Sequence, residues 1–511
     1  MNVTFVAMGS ELLGLESMSA VLKKHGHNVN LAFEPALFDD KVYFHIKSLA
    51  KLFSSKKQII KKVINSKPDI IGFSVISLTY QWSIVIAKEL KKHLKDTPII
   101  FGGVFAMSNP ETVLEQSCVD VVCIGDGEYP LFELVESMKK GKIDYKIKNL
   151  WFKKDNKIIK NKLREPVKFD EYPIFDKSLF EKVIPINNSY LTMASKGCPF
   201  NCTYCSQNFL QPIMSGGKRD RYFELRGVDN VINELKIMKK RYNYEIVEMW
   251  DNTFTANKKW TLDFCKKYKE HINIPYRILT HPICVDDDIA KALKESGCYK
   301  VQFGVQSMNE KIRSEILNRH ESNEMLLKGF KSCDKVGLKY SIDHIFGLPG
   351  DDDVEGNLKT AISYYAKCRN CIQVRCFWLT LFPKAEMVNI AKKYGMVNEE
   401  DIKKIENAEC DDLYMFKGSL KEKEMIKLFQ RYQILMESIP ILSERTINFI
   451  LRNNIHYKFK YLPKLVTKWT VDILASSIKK DLKGMQYLKY YLWQFRRMLR
   501  EVLFEKYRRI T

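Results

Sequence analysis

The 511-residue chain has no run approaching the roughly 20 consecutive apolar residues that a membrane-spanning helix needs. Its first residues, Met1-Asn-Val-Thr-Phe-Val-Ala-Met8, carry no basic group ahead of the apolar run, so they read as a first β-strand and not a signal peptide. Acidic residues are in deficit. Against 83 Lys and Arg stand 61 Asp and Glu, a net charge of +22, which favours nucleic acid, an acidic lipid surface or an acidic redox protein as partner. Most of the 13 cysteines are scattered with no disulfide-framework spacing, as expected in a reducing cytoplasm. No G-x-G-x-x-G follows the first strand, which argues against a dinucleotide-binding site. The 45% hydrophobic and 28% charged residues are those of a soluble globular protein with room for roughly two to four domains.

What the chain does have is concentrated in one stretch, Ala194-Ser-Lys-Gly-Cys198-Pro-Phe-Asn-Cys202-Thr-Tyr-Cys205. Gly197 and Pro199 break regular structure, so the loop can curl and turn three sulfurs toward one centre. Three thiolates bind soft metal, and a closed 4Fe–4S site uses four. The spacing therefore predicts a cluster on Cys198, Cys202 and Cys205 with one iron open to an outside ligand. Structural zinc would want a fourth Cys or His nearby, and residues 206–218 hold neither. Three free buried cysteines are the plainer alternative. The tight spacing and the polar neighbours speak against it.

The C-x3-C-x2-C loop, with Tyr204 before the third cysteine and the strand Ser189-Tyr-Leu-Thr-Met-Ala194 ahead of it, resembles the cluster loop of the radical S-adenosylmethionine enzymes. The resemblance implies that S-adenosylmethionine chelates the open iron through its amino and carboxylate groups. One electron from the cluster then yields methionine and a 5′-deoxyadenosyl radical.

Residues 1–140 alternate strands and helices, which predicts a doubly wound parallel sheet with ligands at the strand carboxyl ends. There lie Ser74, Thr79, Gly102, Gly103, Gly125 and Glu128. Ser74-x-Ile76 followed by Gly102-Gly103 resembles a cobalamin-binding domain, and Gly125-Asp-Gly-Glu128 the loop that such a domain carries before a radical S-adenosylmethionine domain. The family's D-x-H-x-x-G is absent and Phe105 follows the Gly pair, so no protein histidine on cobalt is expected. His25 and His27, at a helix end, read as caps.

Residues 141–185 read as a Lys-rich linker with a small hairpin around Trp151-Phe152 and 157–159. From 186 to 400, six strand–helix units predict a partial (β/α)6 barrel with its functional residues at the strand C-termini. The resemblance gives Asp251 to the methionine amino group, Gln306 and Ser307 to ribose and carboxylate, Arg319 to the carboxylate and Gly347 to the turn beside adenine. Helix capping is the alternative for Asp251 and Gln306, and a surface salt bridge for Arg319. Trp250-Asp251-Asn252 replaces the family's usual Gly-Gly-Glu. A second group, Cys368, Cys371 and Cys376, lacks a fourth ligand and is expected to bind no metal.

Residues 401–511 read as helical. Met485, Leu488, Tyr491, Leu492, Phe495, Met498, Leu499, Val502 and Leu503 stripe a last helix flanked by Lys489, Arg496, Arg500 and others; packing on the barrel is the first expectation, and weak peripheral contact with an anionic membrane the alternative. The chain is thus expected to be a cytoplasmic cobalamin-dependent radical enzyme holding a 4Fe–4S cluster, S-adenosylmethionine and cobalamin. The first expectation is C-methylation of a small-molecule, lipid or peptide substrate, with flavodoxin or ferredoxin as electron donor and no nucleic acid. A cyclase or ring-rearranging enzyme, a tRNA-modifying enzyme and a non-catalytic sensor are the alternatives.

Overall fold

The computed structural model describes residues 1–40, 44–155, 157–219, 221–409, 423–461, 471 and 474–507. The first sheet has seven strands. Five are parallel, in the spatial order Asn28–Glu34, Asn2–Met8, Ile70–Ser74, Ile99–Gly102, Val121–Cys123. Side chains alternate between its faces, as a strand's period requires. Val3, Phe5, Ala7 and Ile70 pack with Leu15, Leu22, Leu131 and Leu134 on one face. Val6, Ile71 and Phe73 pack with Ile59, Val63, Ile84 and Leu90 on the other. A parallel sheet covered on both faces is a doubly wound layer.

Two features differ from the sequence reading. The edge strand Asn28–Glu34 was not expected, because Asn28 and Asn30 interrupt its apolar run. The hairpin Leu150–Lys154 and Lys157–Lys160 does not stand apart in a linker. Leu150–Lys154 pairs antiparallel with Val121–Cys123, so the first sheet runs on past residue 140 to Lys160. Phe152 is buried in the same core as Val121 and Leu150, and that burial holds the hairpin to the sheet.

The second sheet is all parallel and lies in chain order: Tyr190–Thr192, Val247–Met249, Tyr276–Thr280, Cys298–Gln306, Tyr340–Phe346, Cys371–Trp378. Helices Val228–Tyr242, Lys258–His271, Asp287–Glu295, Asn323–Val336 and Val354–Tyr365 link successive strands, giving the expected six-strand partial barrel. Asp286 and Ser322 cap two of these helices through side-chain bonds to Ile289 N and Met325 N.

A chain of buried polar groups crosses the strands. Arg277 donates to Glu248 at 2.7 Å and to Gln302 at 3.0 Å; Gln302 donates to Asp343 at 2.7 Å; Arg375 donates to Asp343 at 2.9 Å. At the sheet's N-terminal side the buried Lys300 ammonium meets the buried Asp481 at 2.7 Å, which ties the C-terminal segment beneath the barrel. Helix Lys423–Ser438 covers the last strands through Phe429, which contacts Phe346 and Trp378 at 5.1 Å. Most of the helix expected over 463–480, the side chains of Met485, Leu488, Val502 and Leu503, and Arg508 and Arg509 lie outside the described residues.

Candidate active site

The three clustered cysteines sit where the barrel strands end. A two-stranded ribbon, Ser195–Gly197 against Phe223–Leu225, leaves the first barrel strand and opens into their loop. Gly197 is required there: its φ is 78° and an added Cβ would lie 1.9 Å from the Tyr222 carbonyl oxygen. Cys198, Cys202 and Cys205 are half-buried free thiols. Burial raises all three thiols, with Cys205 pushed up to about 12 and the neighbouring cysteines adding to the rise at Cys202 and Cys205. Cys198 Sγ is 3.6 Å from Thr253 Oγ1. No three His, Cys, Asp or Glu side chains among the described residues gather around one point as the ligands of a single ion do. A cubane cluster takes one thiolate per iron, so its ligands stand further apart, and three soft thiols in one loop fit it.

Around the loop stand residues that the sequence reading named and others that it missed. Asp251, after the second barrel strand, is buried and accepts from Ala194 N at 3.0 Å and Ser195 Oγ at 2.5 Å. It therefore braces the backbone leading into the cluster loop, while its Oδ2 has no partner within the protein. Burial pushes its carboxyl up to about 6. Arg319 is not on the surface as the salt-bridge reading would have it. It is buried, donates to Glu321 and to the Gly304 carbonyl at 2.8 Å each, reaches Tyr204 Oη at 3.5 Å and meets His281 Nε2.

His281 and Glu321 went unnamed in the sequence. His281 follows the third barrel strand and stacks on Phe200 of the cluster loop at 4.6 Å, and its position at a strand C-terminus was the available signal. Burial, with the charge of Arg319, lowers His281 to about 4. Burial raises Glu321, but the His281 bond and the Arg319 charge outweigh it and bring it to about 2. Gln306 ends the fourth strand at a φ of 72°, outside regular strand geometry. Ser307 accepts from Asn309 N at 3.1 Å, and Gly347 follows the fifth strand.

At the first sheet, Ser74, Gly102 and Gly103 sit together on adjacent strand ends. Gly103 has φ 90°, and a Cβ there would lie 2.7 Å from both N and O of Val75. The two loops thus touch backbone to backbone. Thr79 turns back on its own helix, bonding Ile76 N at 3.2 Å, which is a cap. Glu128 is buried and accepts from Ser17 at 2.8 Å. Phe105, after the Gly pair, is buried against Tyr80 at 4.3 Å. His25 bonds Val21 O at 2.8 Å and His27 lies 3.1 Å from Glu136, both at the helix end where caps were expected.

Lys196, two residues before Cys198, joins the two sheets. Its ammonium lies 2.9 Å from Asp126 and 4.0 Å from Glu128, over the rings of Tyr172 at 4.3 Å and Phe169 at 5.1 Å. The Gly125–Glu128 loop and the cluster loop are therefore direct neighbours. Comparison with known proteins agrees with both halves of this arrangement. The B12 binding domain matches residues 9–135 and the Radical SAM superfamily matches residues 193–359. The chain belongs to the cobalamin-binding radical S-adenosylmethionine family.

The family is one of radical S-adenosylmethionine enzymes, and its cofactors are a 4Fe–4S cluster, S-adenosylmethionine and cobalamin. An uncharacterized methyltransferase of Pyrococcus horikoshii is 31% identical over 60% of this chain and 66% of its own length. The anaerobic magnesium-protoporphyrin IX monomethyl ester cyclase of Rubrivivax gelatinosus is 22% identical over 58% of this chain and 54% of its own. The chain thus spans two thirds or less of these relatives. Among solved structures, the cobalamin-dependent S-adenosylmethionine radical enzyme OxsB aligns over 100% of this chain and 81% of its own, with TM-score 0.65 and 15% identity. The methyltransferase TsrM of Kitasatospora setae aligns over 76% of each chain, with TM-score 0.60 and 14% identity. At such identities the likeness is one of fold. In this chain, Cys368 and Cys371 donate to the nearby Tyr364 O and Gln373 O, and Cys376 to Met436 Sδ on a covering helix.

Proposed function

We propose that the chain is a cobalamin-dependent C-methyltransferase acting on an unactivated carbon of a small molecule. The observation that carries this is the Lys196–Asp126 contact of 2.9 Å, which makes the Gly125–Glu128 loop of the first sheet a neighbour of the cysteine loop of the second. A methyl donor and a hydrogen-abstracting centre must both reach one substrate carbon, and adjacency of the two loops serves that need. When bound, the cofactors supply a 5′-deoxyadenosyl radical for hydrogen abstraction and methylcobalamin for the methyl group.

The protein's own part is to bind and orient. Cys198, Cys202 and Cys205, free thiols in one loop, would hold the cluster. Asp251 Oδ2, an unpaired buried acceptor, suits an ammonium group, while its Oδ1 braces the loop. Arg319, fixed by Glu321 and the Gly304 carbonyl, directs positive charge toward Tyr204 and the cysteines and suits a carboxylate. Gln306, Ser307 and Gly347 line the ends of the fourth and fifth strands for the nucleoside. Ser74, Gly102, Gly103 and Gly125 take the cobalamin side. The excess of positive charge suits an acidic flavodoxin or ferredoxin as electron donor.

The test is anaerobic incubation of reduced, cofactor-loaded protein with methyl-labelled S-adenosylmethionine and candidate substrates, read by mass spectrometry. Label in the product together with 5′-deoxyadenosine supports the reading. A product that has lost hydrogen without gaining label overturns it in favour of cyclisation or rearrangement.

A further inference from the structure

Described side chains of the C-terminal helix Leu482–Tyr507 tie it to the rest of the chain. Gln494, fully buried, donates to the Val183 carbonyl at 2.7 Å; Tyr490 Oη donates to the Gly9 carbonyl at 3.4 Å; Lys489 meets Glu245 at 2.9 Å. The bonds of Gln494 and Tyr490 set the helix's rotation and so define what the opposite side presents. At 3.6 residues per turn, Phe495, Leu499 and Leu492 fall within a sector of roughly 60°. They are 39%, 47% and 49% exposed. Arg496 and Arg500 adjoin them and are exposed.

This stripe continues onto the first domain. Phe53 contacts Phe495 at 6.0 Å, and its neighbour Leu52, ending the short helix Lys47–Leu52, is 73% exposed. Lys47, Lys51 and Lys56 are exposed on that segment. Phe53 also walls a cavity of about 290 Å³ with Met8, Leu37, Ala50, Trp82 and Val85. Among the described residues here, Glu34 accepts from Ser55 at 2.8 Å and Asp39 faces His45 at 3.0 Å. No helix among the described residues is long and apolar enough to cross a membrane.

We propose that the face formed by residues 492–500 and 47–56 docks on an anionic lipid bilayer. Protruding leucines and a phenylalanine enter the headgroup boundary, and basic side chains on both flanks meet the lipid phosphates. Charge of one sign around an apolar stripe complements an acidic bilayer, whereas contact between two copies of this chain would oppose like charges.

Full-length protein is floated with vesicles of phosphatidylcholine alone and of phosphatidylcholine mixed with phosphatidylglycerol. Binding to the mixed vesicles only, reversed by high salt, is expected. L492D/L499D should abolish it at an unchanged far-ultraviolet circular dichroism spectrum. If that variant fails to fold, R496S/R500S decides: it alters exposed charges alone and should weaken binding about tenfold. Absence of binding to either vesicle overturns the proposal, as does a charge variant that binds like wild type. A dimer in solution that L492D/L499D dissociates overturns it in favour of a second copy as the occupant.

Discussion

Lys196 Nζ lies 2.9 Å from Asp126 Oδ2, although 70 residues separate them in the chain. Lys196 opens the loop of Cys198, and Asp126 belongs to the loop at the end of the first sheet. One ion pair therefore registers the two domains at the point where their chemistry meets. Burial lowers the Lys196 ammonium, but the charges of Asp126 and Glu128 outweigh it, so the lysine stays charged.

Lys196→Met should strand Asp126 and Glu128 without their cation. The expected loss is roughly 3 kcal/mol in chemical denaturation, toward the lower end for a buried pair because Asp126 is partly exposed. K196M/D126N should regain part of it. A double variant no better than the single one would remove the pair from the account.

Replacing Cys198, Cys202 and Cys205 together by Ala should take anaerobically reconstituted iron from about four per chain to near zero. The same change to Ser at Cys368, Cys371 and Cys376 should leave the iron in place, since those thiols bond Tyr364 O, Gln373 O and Met436 Sδ. Iron retained by the first variant and lost from the second would exchange their roles.

Gly103→Ala places a Cβ 2.7 Å from the Val75 backbone at a φ of 90°. The backbone strain costs roughly 1–3 kcal/mol, and the displaced loop should retain less cobalamin. Gly26→Ala is the control, with φ 79° and nothing within 4 Å. Equal cobalamin content in the two would separate Gly103 from the cofactor.

Phe105 is packed on Tyr80, and His25 and His27 are held at a helix end by Val21 O and Glu136. Cob(II)alamin bound to the protein should therefore give an electron paramagnetic resonance spectrum without hyperfine splitting from an imidazole nitrogen. That splitting, lost on replacing one of the histidines, would give cobalt a protein ligand.

Burial lowers His281 to about 4, helped by Arg319, and lowers His344 to about 3. The unfolded chain takes up a proton at each near pH 6.5, where the folded chain does not. Stability is thus fully present above about pH 6.5 and falls as pH drops toward 4 and 3, by at most roughly 1.4 kcal/mol per pH unit per histidine. Urea midpoints between about pH 7 and about pH 5 measure this, and His344→Asn should flatten the slope. A slope the variant does not change would remove His344 from the dependence.

Local pattern carried much of this protein. Alternating apolar strands and amphipathic helices reveal the parallel core of both sheets, because burial on a sheet face or helix stripe repeats at a short fixed period. The cysteine loop is legible for a similar reason: three cysteines, a glycine and a proline lie within eight residues of one another, from Gly197 to Cys205. Contacts between distant segments have no such signature. That the hairpin at Leu150–Lys160 extends the first sheet, that Asp251 braces Ala194 and Ser195, that Arg319 is buried between His281 and Glu321, and that Lys196 reaches Asp126 all depend on how separately formed units pack. A lone Asp, Arg or Lys reads the same in sequence whether it meets water or a buried partner. Only packing removes the water, and with it the choice.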